Sequence, residues 1–179
     1  MTVTNDHGNG AICVMGVSGS GKTSVGERLA RSYGVRFIEG DSLHSPANVE
    51  KMAQGIPLTD DDRWPWLDAI GAEIRQTLAA GHGLVVSCSA LKRIYRDRLR
   101  AAAGGKLIFV YLDGSKELLS KRMGARTGHF MPASLLESQL QTLEAPTGEP
   151  GVITIEIDGS VEEIVARADA ALRQLHTGS

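Results

Sequence analysis

The 179-residue sequence has only two cysteines, Cys13 and Cys88. Both lie in apolar runs that are typical of buried strands, which indicates small core residues in a reducing compartment rather than a disulfide framework or a metal site. No apolar stretch approaches the length of a membrane span, and residues 1–10 lack the apolar core of a signal peptide. We therefore expect a cytoplasmic protein with no membrane partner, in which the polar segment 1–10 is a flexible tail.

Charge of one sign is not in excess either. Lys and Arg number 19 and Asp and Glu number 21, which gives a net charge of −2 and a pI near 6.2. This balance argues against a general nucleic-acid binder, so any basic site must be local. The length suits one domain, which we place at residues 11–179.

Five apolar runs alternate with helical patterns, which favours an α/β fold with a parallel sheet between helices. The strands are predicted at 11–17, 36–40, 84–89, 106–112 and 152–157. The helices are predicted at 21–33, 45–80, 90–103, 115–124, 133–143 and 161–175, with an interruption of the second at Gly55-Ile56-Pro57. Residues 45–80 then form a helical excursion after strand two, and residues 125–134 contain a loop inserted after strand four.

The segment Gly16-Val17-Ser18-Gly19-Ser20-Gly21-Lys22-Thr23 matches the phosphate-loop pattern Gly-x4-Gly-Lys-Thr and stands between a strand and a helix. Its glycines let backbone N–H groups reach phosphate oxygens, and the helix N-terminus favours anions. Lys22 can reach the β- and γ-phosphates, and the Thr23 hydroxyl can ligate Mg²⁺. We predict ATP and Mg²⁺ as cofactors, with nucleotide contacts from Gly16, Ser18, Gly19, Ser20, Gly21, Lys22, Thr23 and Ser24.

An acid, Asp41, stands just past the end of strand two, at the sheet edge where ligands bind in parallel sheets. It could accept a proton from an acceptor hydroxyl or orient that hydroxyl, and it could equally be a turn cap. Downstream, His44, Lys51 and Arg63 could bind an anionic, hydroxyl-rich acceptor. Asp60-Asp61-Asp62 is more typical of an exposed helix start than of a metal site, and Trp64 and Trp66 of packing.

Basic residues follow strand three and flank the inserted loop. Lys92 and Arg93 stand nearest the strand end and are the best placed for a ligand, whereas Arg96, Arg98 and Arg100 cannot all share one helical face, so we expect part of that cluster to be solvated. Arg122 and Arg126 flank the loop at 125–134, which we interpret as a lid that brings arginine over the phosphates. The alternative is an exposed helix end.

Together these residues resemble the gluconokinases of the shikimate-kinase-like P-loop group. The matching segments cover most of residues 11–146. Beyond the phosphate loop they include Gly40-Asp41-Ser42-Leu43-His44, Gly55-Ile56-Pro57-Leu58, Pro65-Trp66-Leu67, Cys88-Ser89-Ala90-Leu91-Lys92-Arg93, His129-Phe130-Met131-Pro132 and Ser138-Gln139.

The resemblance implies a three-layer, nucleoside-monophosphate-kinase-like fold with sheet order 2-3-1-4-5, and ATP:D-gluconate 6-phosphotransferase activity. It makes Asp41 the favoured base or orienting residue, with Lys22 and Arg126 also catalytic. It makes His44, Lys51, Arg63, Lys92 and Arg93 candidates for the sugar acid, and Arg122 and Arg126 nucleotide contacts. It also implies a homodimer.

Two alternatives remain open at this point. A kinase of the same fold could use another acceptor, such as shikimate or a nucleotide, and a lid would not distinguish it. A nucleotide-dependent switch is the alternative from another class, but the Asn-Lys-x-Asp pattern with which such switches read guanine is absent from the sequence.

Overall fold

The computed structural model describes residues 10–125 and 133–177. Five parallel strands form a sheet in the order β2-β3-β1-β4-β5, which confirms the expected α/β fold and strand order. The strands are β1 (Ala11–Met15), β2 (Arg36–Glu39), β3 (Leu84–Ser87), β4 (Leu107–Asp113) and β5 (Val152–Glu156). Every residue of β1 and β3 is buried, as expected for central strands of a sheet that is covered on both faces.

Seven helices accompany the sheet in the described part of the chain. They are α1 (Lys22–Tyr33), α2 (Pro46–Ala53), α3 (Asp60–Ala79), α4 (Arg93–Ala102), α5 (Lys116–Ala125), α6 (Ala133–Thr142) and α7 (Val161–Thr177). α1 packs against α7, and α3 packs against α4. None of the helices in residues 10–125 and 133–177 is long and apolar enough to cross a bilayer.

The first strand ends two residues earlier than the apolar run predicts. Gly16 has a φ of 150°, so the chain leaves the sheet there. The Val17 carbonyl, which a longer strand would have used in the ladder, accepts the Ser20 N–H at 3.2 Å instead. The phosphate loop therefore begins directly at the carboxyl end of β1, and α1 starts six residues later at Lys22.

The excursion after β2 consists of α2 and α3, and its interruption falls where Gly55-Ile56-Pro57 predicts it. Ser45 caps α2 by accepting the Asn48 N–H. α3 begins with a capping box in which Thr59 and Asp62 satisfy each other's backbone N–H groups at 3.1 and 2.9 Å. Both helix starts are thus fixed by local sequence, which sets the excursion beside the phosphate loop.

The helix after β3 begins at Arg93 rather than at Ala90. Ala90 has a φ of 47°, a left-handed conformation that no α-helix can include. The Ala90 and Leu91 carbonyls point to the Arg96 guanidinium, which accounts for their leaving the helical path. Residues 88–92 consequently form a loop at the carboxyl end of β3.

Candidate active site

The phosphate loop has the backbone that its glycines predict. Gly16, Gly19 and Gly21 have φ values of 150°, 85° and 93°. A Cβ on Gly16 would lie 2.8 Å from Ser20 Oγ, and one on Gly19 would lie 2.9 Å from Met123 Cγ. Both the backbone conformation and the close approach therefore require glycine, and the loop presents its N–H groups at the start of α1.

Two side chains of the loop are consistent with a phosphate ligand. Lys22 Nζ donates to the Val17 carbonyl at 3.1 Å, so the ammonium is folded back over the loop. The Ser20 hydroxyl is buried, and it has no hydrogen-bond partner in the described part of the chain. A loop that carries an ammonium and an unsatisfied buried hydroxyl has the chemistry to bind an anion.

A carboxylate from β2 meets the loop at Thr23. Glu39 Oε2 accepts the Thr23 hydroxyl at 2.5 Å, and Glu39 Oε1 accepts the Ser87 hydroxyl at 2.8 Å. Ser87 Oγ in turn accepts the Gly40 N–H at 3.2 Å. Since Glu39 and Ser87 are register partners on adjacent strands, the sheet itself fixes this carboxylate beside the phosphate loop.

Asp41 is positioned by a 3₁₀ turn at Gly40–Leu43. A Cβ on Gly40 would lie 2.0 Å from the Ser87 carbonyl, so only glycine allows the turn to pack against β3 at this point. Trp66, buried as predicted, donates its indole N–H to the Gly40 carbonyl at 2.8 Å. The turn brings Asp41 to a cavity that Lys22 of the phosphate loop also lines.

His44 lines the same cavity, and its side chain is only 3% exposed. The ring stacks on Trp66 with centroids 4.1 Å apart, and Nε2 lies 3.9 Å from Asp41 Oδ1. Burial, and then the nearby Arg63 charge, lowers the pKa of His44 from 6.5 to about 4. The imidazole is therefore neutral at pH 7 and can exchange hydrogen bonds with a hydroxyl-rich ligand.

Arg63 contributes a cation to the cavity wall. Its Nη1 donates to the Tyr95 hydroxyl at 2.7 Å, and that hydroxyl donates to Asp60. Lys92 Nζ also donates to Asp60, at 3.0 Å, and the bonds from Tyr95 and then Lys92 lower the pKa of this carboxyl. Asp60 thus belongs to a network at the start of α3.

The remaining predicted residues lie outside this cavity. Lys51 pairs with Asp62 at 2.9 Å. The Arg93 side chain is 59% exposed and lies 3.7 Å from Asp97. The described residues that line the cavity do not include Lys51, Lys92 or Arg93 of the predicted acceptor set.

The predicted nucleotide contacts beyond the loop divide in the same way. Arg122 donates to the carbonyls of Ile157 (2.5 Å) and Gly159 (3.3 Å), so it lies against the segment after β5. Arg126 and most of the predicted lid lie outside the described residues, as does the segment 1–9. Ser24 is half-buried on the first turn of α1.

The basic cluster of α4 is solvated in part, as the sequence predicts, and one of its arginines is fully buried. Arg96 is fully buried: it pairs with Glu149 at 2.6 Å and also donates to the carbonyls of Ala90, Leu91 and Glu144. Arg98 meets the expectation, since it is 44% exposed and pairs with Asp68 at the surface. Arg96 therefore stabilises the loop after β3, Arg100 also bonds Glu149, and Arg98 lies at the surface.

Comparison with known proteins identifies the family. A family model described as an AAA domain matches residues 12–146. The gluconokinase of Gluconobacter oxydans is 54% identical over 144 residues, which cover 80% of each chain. The thermosensitive gluconokinase of Escherichia coli is 42% identical over 90% of this chain and 88% of its own. The chain belongs to the gluconokinase family. A crystal structure of a gluconokinase from Sinorhizobium meliloti superposes with a TM-score of 0.85 at 57% identity and 93% coverage of both chains.

Two polar residues of this gluconokinase-family site are not identified by the sequence pattern. Glu39 contacts Thr23 across 16 residues, and its only signal is its place at the end of β2, two residues before Asp41. Gln139 of α6 lines the cavity and accepts the Ser18 N–H of the phosphate loop at 2.7 Å across 121 residues. It stands in the segment Ser138-Gln139 that resembles the family, but its type and position alone indicate no role.

Proposed function

We propose that this gluconokinase-family chain transfers the γ-phosphoryl group of ATP to O6 of D-gluconate, giving 6-phospho-D-gluconate and ADP. The observation that carries the proposal is that Lys22 of the phosphate loop and Asp41 line one cavity together with His44 and Arg63. An acceptor in this cavity lies next to the phosphate loop, which is the arrangement that in-line transfer requires.

In the proposed reaction Asp41 orients the O6 hydroxyl and accepts its proton. O6 forms a bond to the γ-phosphorus while the bond from that phosphorus to the oxygen bridging it to ADP breaks. Lys22, released from the Val17 carbonyl, offsets the negative charge on the phosphates. The His44–Asp41 separation of 3.9 Å leaves both groups able to contact acceptor hydroxyls at neighbouring carbons.

For the acceptor we assign the carboxylate to Arg63, since a guanidinium matches a carboxylate with two parallel hydrogen bonds. Neutral His44 forms a hydrogen bond with a hydroxyl on the carbon chain of gluconate. Lys51, Lys92 and Arg93 stay proposals for the rim of the site. Lys51 and Lys92 are held by carboxylates of α3, so a contact with the sugar acid requires them to exchange partners.

For Mg²⁺ the oxygen donors at the carboxyl ends of β1 and β2 fit. No group of three or more possible ligands occurs among the described residues, so phosphate oxygens and water must complete the shell. Thr23 would hold the ion through its hydroxyl. Glu39, whose Oε2 lies 2.5 Å from that hydroxyl, would bind the ion directly or through a water molecule. When bound, the ion neutralises charge on the β- and γ-phosphates.

Several features of the wider protein are proposed on the family resemblance. Residues 125–134 act as a lid over the nucleotide, with Arg122 and Arg126 as its phosphate contacts. Residues 11–179 form one kinase domain with the acceptor-binding excursion at 45–80. The protein is a cytoplasmic homodimer, and its two free, buried cysteines are compatible with a reducing compartment. Light scattering of the purified protein tests the dimer directly.

The test of the function is an ADP-release assay with Mg-ATP and a panel of acceptors: D-gluconate, shikimate, glucose, glycerate and nucleoside monophosphates. We expect ADP release with D-gluconate alone, and a phosphorylated product whose phosphorus NMR signal places the ester at C6. Turnover with a different acceptor would refute the substrate while leaving the phosphate loop assigned. Hydrolysis that ignores every acceptor would refute the kinase reaction itself.

A further inference from the structure

Helix α6 connects the phosphate loop to the excursion. Leu135, one helical turn before Gln139, is buried in a small apolar cluster with Met52 of α2 and Leu58 of the segment before α3. Gln139 itself accepts the Ser18 N–H at 2.7 Å. Residues four apart on a helix share a face, so one face of α6 contacts both halves of the site.

The contact with Ser18 also fixes the orientation of the Gln139 side chain. A backbone N–H can only donate, so the atom of the carboxamide that faces Ser18 must be its oxygen. The Nε2 group, with its two N–H donors, then lies on the other side of the carboxamide. It has no hydrogen-bond partner among the described residues, although Gln139 lines the cavity with Asp41 and Arg63.

The N–H group that Gln139 binds belongs to the phosphate loop itself. Phosphate loops direct their N–H groups at phosphate, but the N–H of Ser18 is engaged by a protein side chain. Ser18 is nearly buried, with 8% of its surface exposed, and it too lines the cavity. Gln139 is therefore anchored to the phosphate loop, and it lines the cavity in which the acceptor is proposed to bind.

We propose that Gln139 is an acceptor-binding residue: its Nε2 group donates to a hydroxyl of the sugar acid while its Oε1 stays bonded to Ser18, which ties the position of the acceptor to the phosphate loop. This rests on the proposed function, since it requires a polyol acid in the cavity. It predicts that Gln139 discriminates between acceptors that have and lack one particular hydroxyl. A residue that only supported α6 would not do so.

The test compares Gln139→Leu with Gln141→Leu, a matched control on the same helix whose side chain is exposed. Turnover is measured with D-gluconate and with those of its monodeoxy analogues that keep the O6 hydroxyl, and nucleotide affinity with fluorescent ADP. We expect Gln139→Leu to lower kcat/KM for gluconate about 10-fold or more, with the affinity for ADP within about threefold of wild type. With wild type, one of these analogues should show a loss of kcat/KM like that of Gln139→Leu with gluconate, and Gln139→Leu should turn over that analogue and gluconate equally well.

A second variant separates the two ends of the side chain. Gln139→Glu keeps an oxygen for the Ser18 N–H but has no donor for the acceptor, so it should lose gluconate turnover while its melting temperature stays near that of wild type. Equal kcat/KM for Gln139→Leu and Gln141→Leu, or an equal loss with every deoxy analogue, would overturn the inference alone. No turnover of gluconate by wild type would overturn the proposed function, and the inference with it.

Discussion

The buried pair between Arg96 and Glu149 should be a main determinant of stability. Arg96 is 0% exposed, and its Nε and both Nη atoms make five hydrogen bonds of 2.6–3.1 Å, as many as the guanidinium has N–H groups. Two of them go to Glu149, whose side chain is 8% exposed. The other three go to the backbone carbonyls of Ala90, Leu91 and Glu144.

We predict that Arg96→Met lowers the free energy of unfolding by about 3–5 kcal/mol, the range for removing one partner of a buried ion pair. Arg100, which also bonds Glu149 at 3.0 Å, places the result toward the lower end because the carboxylate keeps one cation. The Ala90 carbonyl moves the expected loss toward the upper end of the range. In the variant it would lose the hydrogen-bond donor that stabilises Ala90 in its left-handed conformation. A loss of this size is a large part of a typical total stability.

Urea denaturation followed by circular dichroism measures the effect, and Arg98→Met is the matched control. Arg98 lies on the same helix, but both partners of its pair with Asp68 are exposed, so even with its contact to the Trp64 ring it should contribute little to stability. If the two variants differed by less than about 1 kcal/mol, the assigned role of burial would be wrong.

The pair also predicts a dependence on pH. The hydrogen bonds from Arg96, and then from Arg100, hold the pKa of Glu149 below its usual 4.5. The folded protein therefore keeps the carboxylate ionised where the unfolded chain binds a proton, so this stability is present above pH 4.5 and is lost as the pH falls below it. Arg96→Met should lose part of that acid sensitivity, which the same urea titrations at pH 5 and pH 3.5 would measure.

Three further predictions concern the cavity. Asp41→Asn should lower kcat by about a hundredfold or more with ATP still bound, because the variant cannot accept the O6 proton; steady-state kinetics with fluorescent nucleotide binding measures both. Arg63→Ala should chiefly raise the KM for gluconate through the lost carboxylate contact, as the same kinetics would show. Acidification from pH 7 to pH 5 should cost roughly 2 kcal/mol of stability through His44, which takes up a proton at pH 6.5 when unfolded but only near pH 4 when folded. Urea titrations of His44→Gln should lack this component.

Each of these has its own control and contrary outcome. Asp61→Asn removes an exposed carboxylate from the same excursion and should turn over normally, whereas normal turnover of Asp41→Asn would exclude the proton-accepting role. Arg75→Ala removes an exposed cation from α3 and is the control for Arg63→Ala. If both variants had the same KM for gluconate, the gluconate carboxylate would bind elsewhere. An acid response of His44→Gln that matches wild type would contradict the low pKa of His44.

The sequence predicts what depends on near neighbours in the chain. The phosphate loop, the break at Gly55-Ile56-Pro57 and the acidic start of α3 are local patterns, and the structure has each of them where the pattern places it. What the sequence does not predict depends on partners far along the chain. Arg96 can be buried because it pairs with Glu149, which lies 53 residues further along the chain. The pattern of charges on α4 alone does not reveal this partner.

The same distinction applies to the candidate site. Asp41 follows from its place at a strand end, because that edge of a parallel sheet faces the ligand crevice. Glu39 precedes it by two residues, yet its contact with Thr23 exists only because β2 and β3 bring Ser87 and Glu39 into register. Gln139 joins the site through a helix whose packing no periodicity describes.

The charges around the cavity decide which cation is best placed to bind an acid. Lys51 and Lys92 look equivalent to Arg63 in the sequence, but each is already paired, with Asp62 and Asp60. Arg63 has no salt bridge within the described ranges; its hydrogen bond goes to the neutral Tyr95 hydroxyl. A carboxylate that approached either lysine would have to displace a carboxylate of α3, whereas Arg63 faces Asp60 only across the Tyr95 hydroxyl and can bind a carboxylate without breaking a direct ion pair. We therefore expect the acids at the start of α3 to favour Arg63 over the two lysines as the partner of an anionic acceptor.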